Sequence, residues 1–147
     1  VSCASQDVEV ATILEQARAI SANQTVAILT QDRGPELKRL RARLPRSILL
    51  HKDMANWSAA PGVYIGTYYA AKGLEFDAVI LPFLSNTRFP DPDDIAAFGD
   101  EDAAAQHGKL LYVGITRARR VVIMTHTGEP TALLPTEAGL YLREERR

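Results

Sequence analysis

The chain has 147 residues, of which 46% are hydrophobic and 24% charged, with 17 basic and 18 acidic side chains. This length and composition fit one globular domain with its own core, and they exclude a disordered chain, a collagen and a disulfide scaffold. The net charge of −1 gives no overall argument for nucleic-acid binding, so only a local patch could provide it.

The chain gives no sign of export or of membrane insertion. Cys3 is its one cysteine, so an intramolecular disulfide is excluded and a reducing compartment is expected. No apolar run approaches the roughly 18 residues needed to span a bilayer, and no secretory signal is visible. We therefore expect a cytoplasmic protein with no membrane partner. Because the chain begins with Val1 rather than Met, we also expect a fragment or a processed product.

Hydrophobic spacing predicts helices and strands that alternate along the chain. A helix capped by Asp7 precedes a buried strand over 25–30, and a second helix has Pro35 at its first position. The remaining predictions, in chain order, are strands over 47–50, 63–68 and 77–83, an acidic loop over 85–102, a helix over 103–118, a strand over 121–125 and a terminal helix over 137–145. This alternation predicts an α/β domain with a mainly parallel sheet.

Two charge blocks stand out, and neither completes a site. The basic block comprises Lys38, Arg39, Arg41, Arg43 and Arg46, with no acid among them. It is either a solvated helix face or a surface that binds the phosphate backbone of a nucleic acid. The acidic loop lacks a recognisable ligand spacing, so we predict no metal site. The chain also lacks a phosphate loop, a G-x-G-x-x-G turn, a zinc pattern and G-x-S-x-G, and by generic chemistry it has no complete active site.

Two segments carry most of the functional information. Residues 67–83 read T-Y-Y-A-A-K-G-L-E-F-D-A-V-I-L-P-F, and residues 110–119 read L-L-Y-V-G-I-T-R-A-R. We expect each polar cluster at the carboxyl end of a strand, or on an element facing it, where open α/β sheets bind ligands. Taken singly, Lys72 and Glu75 would be a local exposed pair, and Arg117 and Arg119 a solvated helix end.

Together, the two segments resemble motifs V and VI of superfamily 1 helicases of the UvrD/Rep/PcrA kind. The stretch T-V-A-I-L-T-Q-D-R-G also resembles the start of that family's second motor domain, and the resemblance covers roughly residues 7–126. It implies that residues 1–147 form a single RecA-like, three-layer 2A domain without the phosphate loop. Only residues 51–62 could hold the family's 2B insertion, so 2B is expected to be absent, as is the first motor domain.

The resemblance also implies a cofactor and partners. ATP with Mg²⁺ would bind between two RecA-like domains, with the magnesium ligands on the first. The partners would be single-stranded DNA and the N-terminal motor domain of the same protein, with RNA polymerase or repair proteins as further partners.

By the same resemblance, Arg117 matches the catalytic arginine that reaches the γ-phosphate, and Glu75 matches the acid that binds the ribose. Gly73 matches a glycine that lets the backbone approach the nucleotide, and Arg119 matches a second arginine of motif VI. On this basis ATP binding is assigned to Gly73, Glu75, Arg117 and Arg119.

DNA binding and coupling are assigned, again by resemblance, to Thr67, Tyr68, Tyr69 and Lys72. The two tyrosines are the expected stacking aromatics. Tyr69 stands where the family usually has His, so coupling between nucleotide and DNA is expected to be altered. Trp57 is a more remote aromatic for which packing is the favoured role.

Three interpretations follow. The first is the second motor domain of an ATP-dependent 3′–5′ DNA helicase or translocase, inactive as this chain alone because the phosphate loop and magnesium acids are missing. Its variant is a motor that remodels RNA polymerase complexes, as in the HelD type. The second is a non-catalytic module, derived from a helicase, that binds nucleic acid or protein. The third is an unrelated nucleotide-binding domain that matches by chance.

Overall fold

The computed structural model describes residues 1–52, 54 and 59–147, which fold around a five-stranded sheet. Trp57 lies outside the described residues. In chain order the elements are β1 (Ser2–Cys3), α1 (Gln6–Ser21), β2 (Thr25–Thr30), α2 (Pro35–Arg43), β3 (Ile48–Leu49), β4 (Gly62–Thr67), β5 (Phe76–Leu81), α3 (Pro92–Phe98), α4 (Asp100–Thr116), β6 (Ala118–Met124), β7 (His126–Thr127) and β8 (Glu145–Arg146).

The central sheet has the order β3-β4-β2-β5-β6, and every neighbouring pair is parallel. β2 lies in the middle, and all six of its residues are buried. A central parallel strand is covered on both faces, which is why this segment is apolar without alternation. The predicted α/β class with a parallel sheet is confirmed.

One face of the sheet is covered by α1 and α2. Ile13 and Leu14 of α1 and Leu40 of α2 pack in one core cluster with residues of β2, β4 and β5 such as Ile28 and Ile65. The helical spacing of these apolar residues directs them all to the sheet, so the opposite surfaces of both helices remain polar.

The other face is covered by α4 and by the connection between β4 and β5. Leu111 of α4 and Tyr68 and Ala71 of the connection form a second core cluster with Leu29 and Val79 of the sheet. The domain therefore has three layers with the sheet in the middle. Among the described residues, no helix combines the length and apolarity needed to cross a membrane.

The predicted acidic loop over 85–102 is wrong for its second half. α3 occupies Pro92–Phe98, and α4 begins at Asp100. The Asp91 carboxylate caps α3 by accepting the backbone N–H of Asp93 at 2.9 Å, and Pro92 follows at the first helical position. The acids lie in the first turns of both helices, where negative charge favours the helix dipole. The acidic composition therefore marks two helix starts rather than a loop.

The predictions for both chain ends are also wrong. No helix forms over 137–145; Gly139 adopts a φ of 90°, and the chain then runs to β8, which pairs with β1. β1 also pairs with β7, and Cys3 is buried. α1 is capped by Ser5, whose Oγ accepts the backbone N–H of Val8 at 3.3 Å, rather than by Asp7. Strand pairing between segments far apart in the chain determines the structure of both ends, and the local spacing of apolar residues cannot predict such pairing.

Candidate functional site

Glu75, Arg117 and Arg119 meet at the amino ends of two neighbouring strands. Phe76 begins β5 and Ala118 begins β6, and these two residues are partners in the sheet. The backbone N–H of Phe76 donates to the carbonyl of Arg117 at 2.8 Å. The residues flanking Phe76 and Ala118 are therefore neighbours, although more than 40 positions separate them in the chain.

This position corrects one expectation. We predicted each polar cluster at the carboxyl end of a strand or on an element facing it, but Glu75 precedes its strand, and Arg117 and Arg119 flank the start of theirs. Thr67, in contrast, ends β4 and lies at the carboxyl edge as predicted. Residues 68–75 therefore cross one face of the sheet, and six-residue strands separate the two edges by about 20 Å.

Arg117 is half-buried at the end of α4. Its Nη1 donates to the Leu74 carbonyl and its Nη2 to the Thr116 hydroxyl, both at 3.4 Å. Its Nε is buried and has no hydrogen-bond partner among the described residues. The long contacts tether the side chain weakly, and a guanidinium has five N–H donors in a planar fork. The head group therefore keeps capacity for an anion.

Glu75 and Arg119 form an exposed ion pair, with Arg119 Nε 3.2 Å from Glu75 Oε2. More than half of each side chain is exposed to solvent. Exposed pairs of this kind contribute little stability, so either partner can exchange the other for a ligand group. The edge thus offers a carboxylate acceptor beside two arginines.

Gly73 satisfies a requirement of the backbone. Its φ is 82°, which favours glycine, and a Cβ built there would have no atom within 4 Å. Glycine is therefore favoured at this position by the left-handed turn that the backbone makes two residues before Glu75. Among the described residues, none packs closely against Gly73.

Asp77 ties β5 to β2 at the same amino edge. Its carboxylate accepts the backbone N–H of Thr25 at 2.9 Å and the Thr25 hydroxyl at 3.0 Å. The backbone hydrogen bond, followed by that of the hydroxyl, lowers the pKa of Asp77 below its ordinary value. The sequence places Asp77 at the start of a predicted strand, but that prediction did not include its hydrogen bonds with Thr25.

At the carboxyl edge, the two tyrosines after β4 have opposite surroundings. Tyr68 is 1% exposed, its ring centroid lies 6.3 Å from that of Phe89, and burial raises the pKa of its phenol. The prediction that Tyr68 stacks on DNA is wrong, because stacking requires a free ring face. Tyr69 is 62% exposed. Thr67 fixes the turn between strand and tyrosines, since its Oγ1 accepts the backbone N–H of Ala70 at 3.2 Å.

A groove of about 580 Å³ lies beside Tyr69. Among the described residues, the polar side chains that line it are basic or aromatic, namely His51, Lys52, Tyr69 and Lys72. Nearby, Arg33 Nη2 donates to the Leu50 carbonyl at 3.4 Å, which brings a further cation to the end of β3. Sequence reasoning named Tyr69 and Lys72 but missed His51, Lys52 and Arg33. The signal was their position after predicted strands, which meet at one sheet edge.

A smaller cavity of about 310 Å³ lies between the carboxyl ends of β2 and β5. Its lining includes Asp32, Glu36 and Arg88. Burial opposes ionisation of Glu36, but hydrogen bonds from its own backbone and from Arg88 outweigh it and lower the pKa of this carboxyl. Arg88 pairs with Glu36, and the two other carboxylates of the lining accept backbone N–H groups, Asp32 from Gly34 and Asp91 from Asp93.

The described residues contain no group of three or more His, Cys, Asp or Glu side chains arranged to hold a metal ion.

Comparison with protein families gives a match over most of the chain. Residues 9–129 match the model of the UvrD-like helicase C-terminal domain. The ATP-dependent DNA helicase UvrD2 of Mycobacterium tuberculosis (strain ATCC 25618 / H37Rv) is 43% identical over 86 residues, which cover 58% of this chain and 12% of that protein. DNA helicase II of Rickettsia typhi is 35% identical over 80 residues, covering 54% of this chain and 12% of that protein. The ATP-dependent DNA helicase PcrA of Staphylococcus aureus is 33% identical over 89 residues, covering 56% and 12%.

A solved structure has the same fold. The C-terminal domain of a possible DNA helicase from Lactobacillus plantarum WCFS1 aligns with a TM-score of 0.60 and 23% identity, covering 90% of this chain and 74% of that one. The α/β, RecA-like fold is thereby confirmed. The chain spans 12% of the length of the three curated relatives above.

Proposed function

The chain belongs to the family of UvrD-like helicase C-terminal domains, and on that premise we propose that it is the second motor domain of an ATP-dependent 3′–5′ DNA helicase or translocase. One observation carries the proposal: the Phe76–Ala118 pairing brings Glu75, Arg117 and Arg119 together at one sheet edge. A carboxylate beside two guanidinium groups has the chemistry to hold a nucleoside triphosphate, with an acceptor for ribose hydroxyls and donors for phosphates.

In this proposal Arg117 is the arginine finger. Its half-buried position limits competition from water, and its weak contacts to Leu74 and Thr116 leave it able to turn toward an anion. A guanidinium aimed at the transferred phosphoryl group stabilises charge as it develops there. Such a finger is worth on the order of a thousandfold or more in rate. Glu75 would bind the ribose, Arg119 would assist, and Gly73 would shape the turn that leads to Glu75.

The opposite edge would bind single-stranded DNA. Tyr69 presents a free aromatic ring beside Lys72 and the basic groove, a combination that suits a base stack next to a phosphate. Thr67 shapes the turn that presents Tyr69. Tyr68 has a packing role in this proposal and no DNA contact.

Residues 68–75 connect the two edges directly. Lys72 and Gly73 lie within this short segment, between Tyr69 on one side and Glu75 on the other. A shift of Glu75 toward a nucleotide would therefore move the backbone that carries Tyr69. We propose this continuity of the backbone as the physical basis for coupling ATP turnover to DNA affinity.

The first motor domain would supply the phosphate loop and the Mg²⁺ ligands, since the described residues hold no metal-binding group. We place the motor in the cytoplasm. Unwinding of duplex and release of stalled RNA polymerase are two outputs of such a motor, and strand-separation and polymerase-release assays on the complete protein distinguish them.

The test is DNA-stimulated ATP hydrolysis by the complete protein that carries this domain. Arg117→Ala should reduce turnover at least a hundredfold while nucleotide binding is largely kept. Arg117→Lys should recover only part of the rate, because Lys lacks the planar fork. Lys109→Ala, which removes a positive charge from an exposed position of the same helix, is the matched control and should leave turnover unchanged.

Wild-type protein that binds DNA but never hydrolyses ATP would reject the motor and favour a binding module. Full activity in Arg117→Ala would reject the finger.

A further inference from the structure

A set of exposed positive charges lies at the end of α1, along α2 and in the turn after α2. Its members all have exposed side chains: Arg18, Lys38, Arg41, Arg43 and Arg46. Arg18 Nη2 donates to the Arg43 carbonyl at 3.1 Å, which joins the end of α1 to the end of α2. We call these five residues the basic face.

The acids of the two helices are engaged elsewhere. Asp7 pairs with Arg39 at 2.5 Å, Glu15 lies 3.6 Å from Arg146, and Glu36 pairs with Arg88. Glu9 is buried and accepts the Phe83 backbone N–H at 2.9 Å. Within the described part of the chain, no salt bridge neutralises a member of the basic face. In a protein with a net charge of −1, this is a local concentration of charge, and the fold adds Arg18 to the basic block of the sequence.

The basic face adjoins the groove at the carboxyl edge. α2 begins just after β2 ends, and Arg33 lies between them with its guanidinium on the Leu50 carbonyl, next to His51 and Lys52 of the groove. From there α2 runs toward the amino edge. Its nine residues span about 14 Å, a length over which one strand of a duplex presents about four phosphates.

The composition of the basic face favours duplex DNA over single-stranded DNA as its ligand. The exposed large hydrophobic residues include Ile48 of β3 but none within α1 or α2. Unpaired bases need aromatic platforms, which this face lacks. A protein partner would need an apolar centre, which it also lacks.

We propose that the basic face binds the phosphate backbone of duplex DNA adjoining the single strand held at the carboxyl edge. This rests on the proposed function, since it extends the DNA path from Tyr69 across Arg33 and onto α2. The duplex would lie on the α1–α2 side of the sheet, and the single strand would lie at the groove. The domain would thus engage a junction rather than a strand alone.

The test uses the double variant Arg41→Gln/Arg46→Gln in the complete protein. Arg143→Gln/Arg147→Gln, which removes two positive charges from exposed positions near the chain end, is the matched control. Binding is measured by fluorescence anisotropy with a single-stranded oligonucleotide and with a duplex bearing a 3′ single-stranded tail, each at several salt concentrations. Thermal unfolding verifies that both variants are folded.

We expect the double variant to bind the tailed duplex at least tenfold more weakly and to lower the magnitude of its salt slope by about 2, since each phosphate contact contributes about 0.9. Affinity for the single strand should be unchanged, and the control should match wild type with both probes. Equal weakening for both probes would assign the face to the single-strand track and overturn the proposal. An unchanged salt slope for the tailed duplex would also overturn it. Tyr69→Ala is measured separately with the single-stranded oligonucleotide. Its loss of binding tests the proposed function alone and does not bear on the basic face.

Discussion

Glu9 in α1 and Phe83 after β5 are 74 positions apart, and the Glu9 carboxylate accepts the Phe83 backbone N–H at 2.9 Å. Phe83 has a φ of 62°, which is uncommon for a bulky residue. The same carboxylate accepts hydroxyl hydrogen bonds from Thr125 and Thr127, each at 2.7 Å. A single buried acid thus joins the helical layer to the carboxyl edge of the sheet.

We expect Glu9→Gln to lower the free energy of unfolding by about 1–3 kcal/mol, because an amide nitrogen in place of Oε2 cannot accept the hydrogen bond that the Thr127 hydroxyl donates. Urea denaturation measures the change. Glu15→Gln, at an exposed helical position with a 3.6 Å ion pair, is the control and should cost under about 1 kcal/mol. Equal losses in the two variants would contradict a special role for Glu9.

Gly114 and Gly108 lie in the same helix, and alanine should have opposite effects at the two positions. A Cβ at Gly114 would lie 2.6 Å from Cε1 of Tyr68 and 2.9 Å from Cδ2 of Leu81, so Gly114→Ala should destabilise the fold by about 1–3 kcal/mol. A Cβ at Gly108 would have no described atom within 4 Å, so Gly108→Ala should stabilise the fold by about 0.5–1 kcal/mol. Thermal unfolding of both variants decides the matter, and a stabilised Gly114→Ala would show that α4 does not pack on Tyr68 as described.

Asp77 should make stability depend on acid pH. Hydrogen bonds from Thr25 lower its pKa from 3.8, so its stabilising contribution is complete above that value and is lost as the pH falls through the lowered pKa. Asp77→Asn should therefore be less stable than wild type at pH 6, with a difference that shrinks below about pH 4. Urea titrations from pH 7 to pH 2.5 measure this, with Glu137→Gln at an exposed position as control. A difference that is constant with pH would show that ionisation of Asp77 is not responsible.

Tyr69 and Tyr68 should respond differently in DNA binding. Tyr69→Ala should weaken binding of a single-stranded oligonucleotide by about 1–3 kcal/mol, since one base would lose its stacking partner, and should leave stability nearly unchanged. Tyr68→Phe keeps the buried ring and should bind DNA as wild type does. Anisotropy titrations compare the two variants. If Tyr68→Phe weakened DNA binding and Tyr69→Ala did not, the assignment of the DNA contact to Tyr69 would be wrong.

The sequence by itself determined the class of the fold and the identity of the chemical groups. The apolar run over 25–30 predicts a buried strand because covering on both faces leaves no room for alternation. The segments over 67–83 and 110–119 identified Glu75, Arg117 and Tyr69 because a motif is a local pattern of residues. None of these inferences needs a contact between distant parts of the chain.

Only the tertiary structure decided which of these groups are neighbours. Pairing of Phe76 with Ala118 brings Glu75 to the arginines at the amino edge, and the crossing of residues 68–75 separates them from Tyr69. The turn after β4 buries Tyr68 against Phe89 and exposes Tyr69, although the two are adjacent and identical in type. Strand register and layer packing depend on contacts between residues far apart in sequence, and no local pattern encodes them.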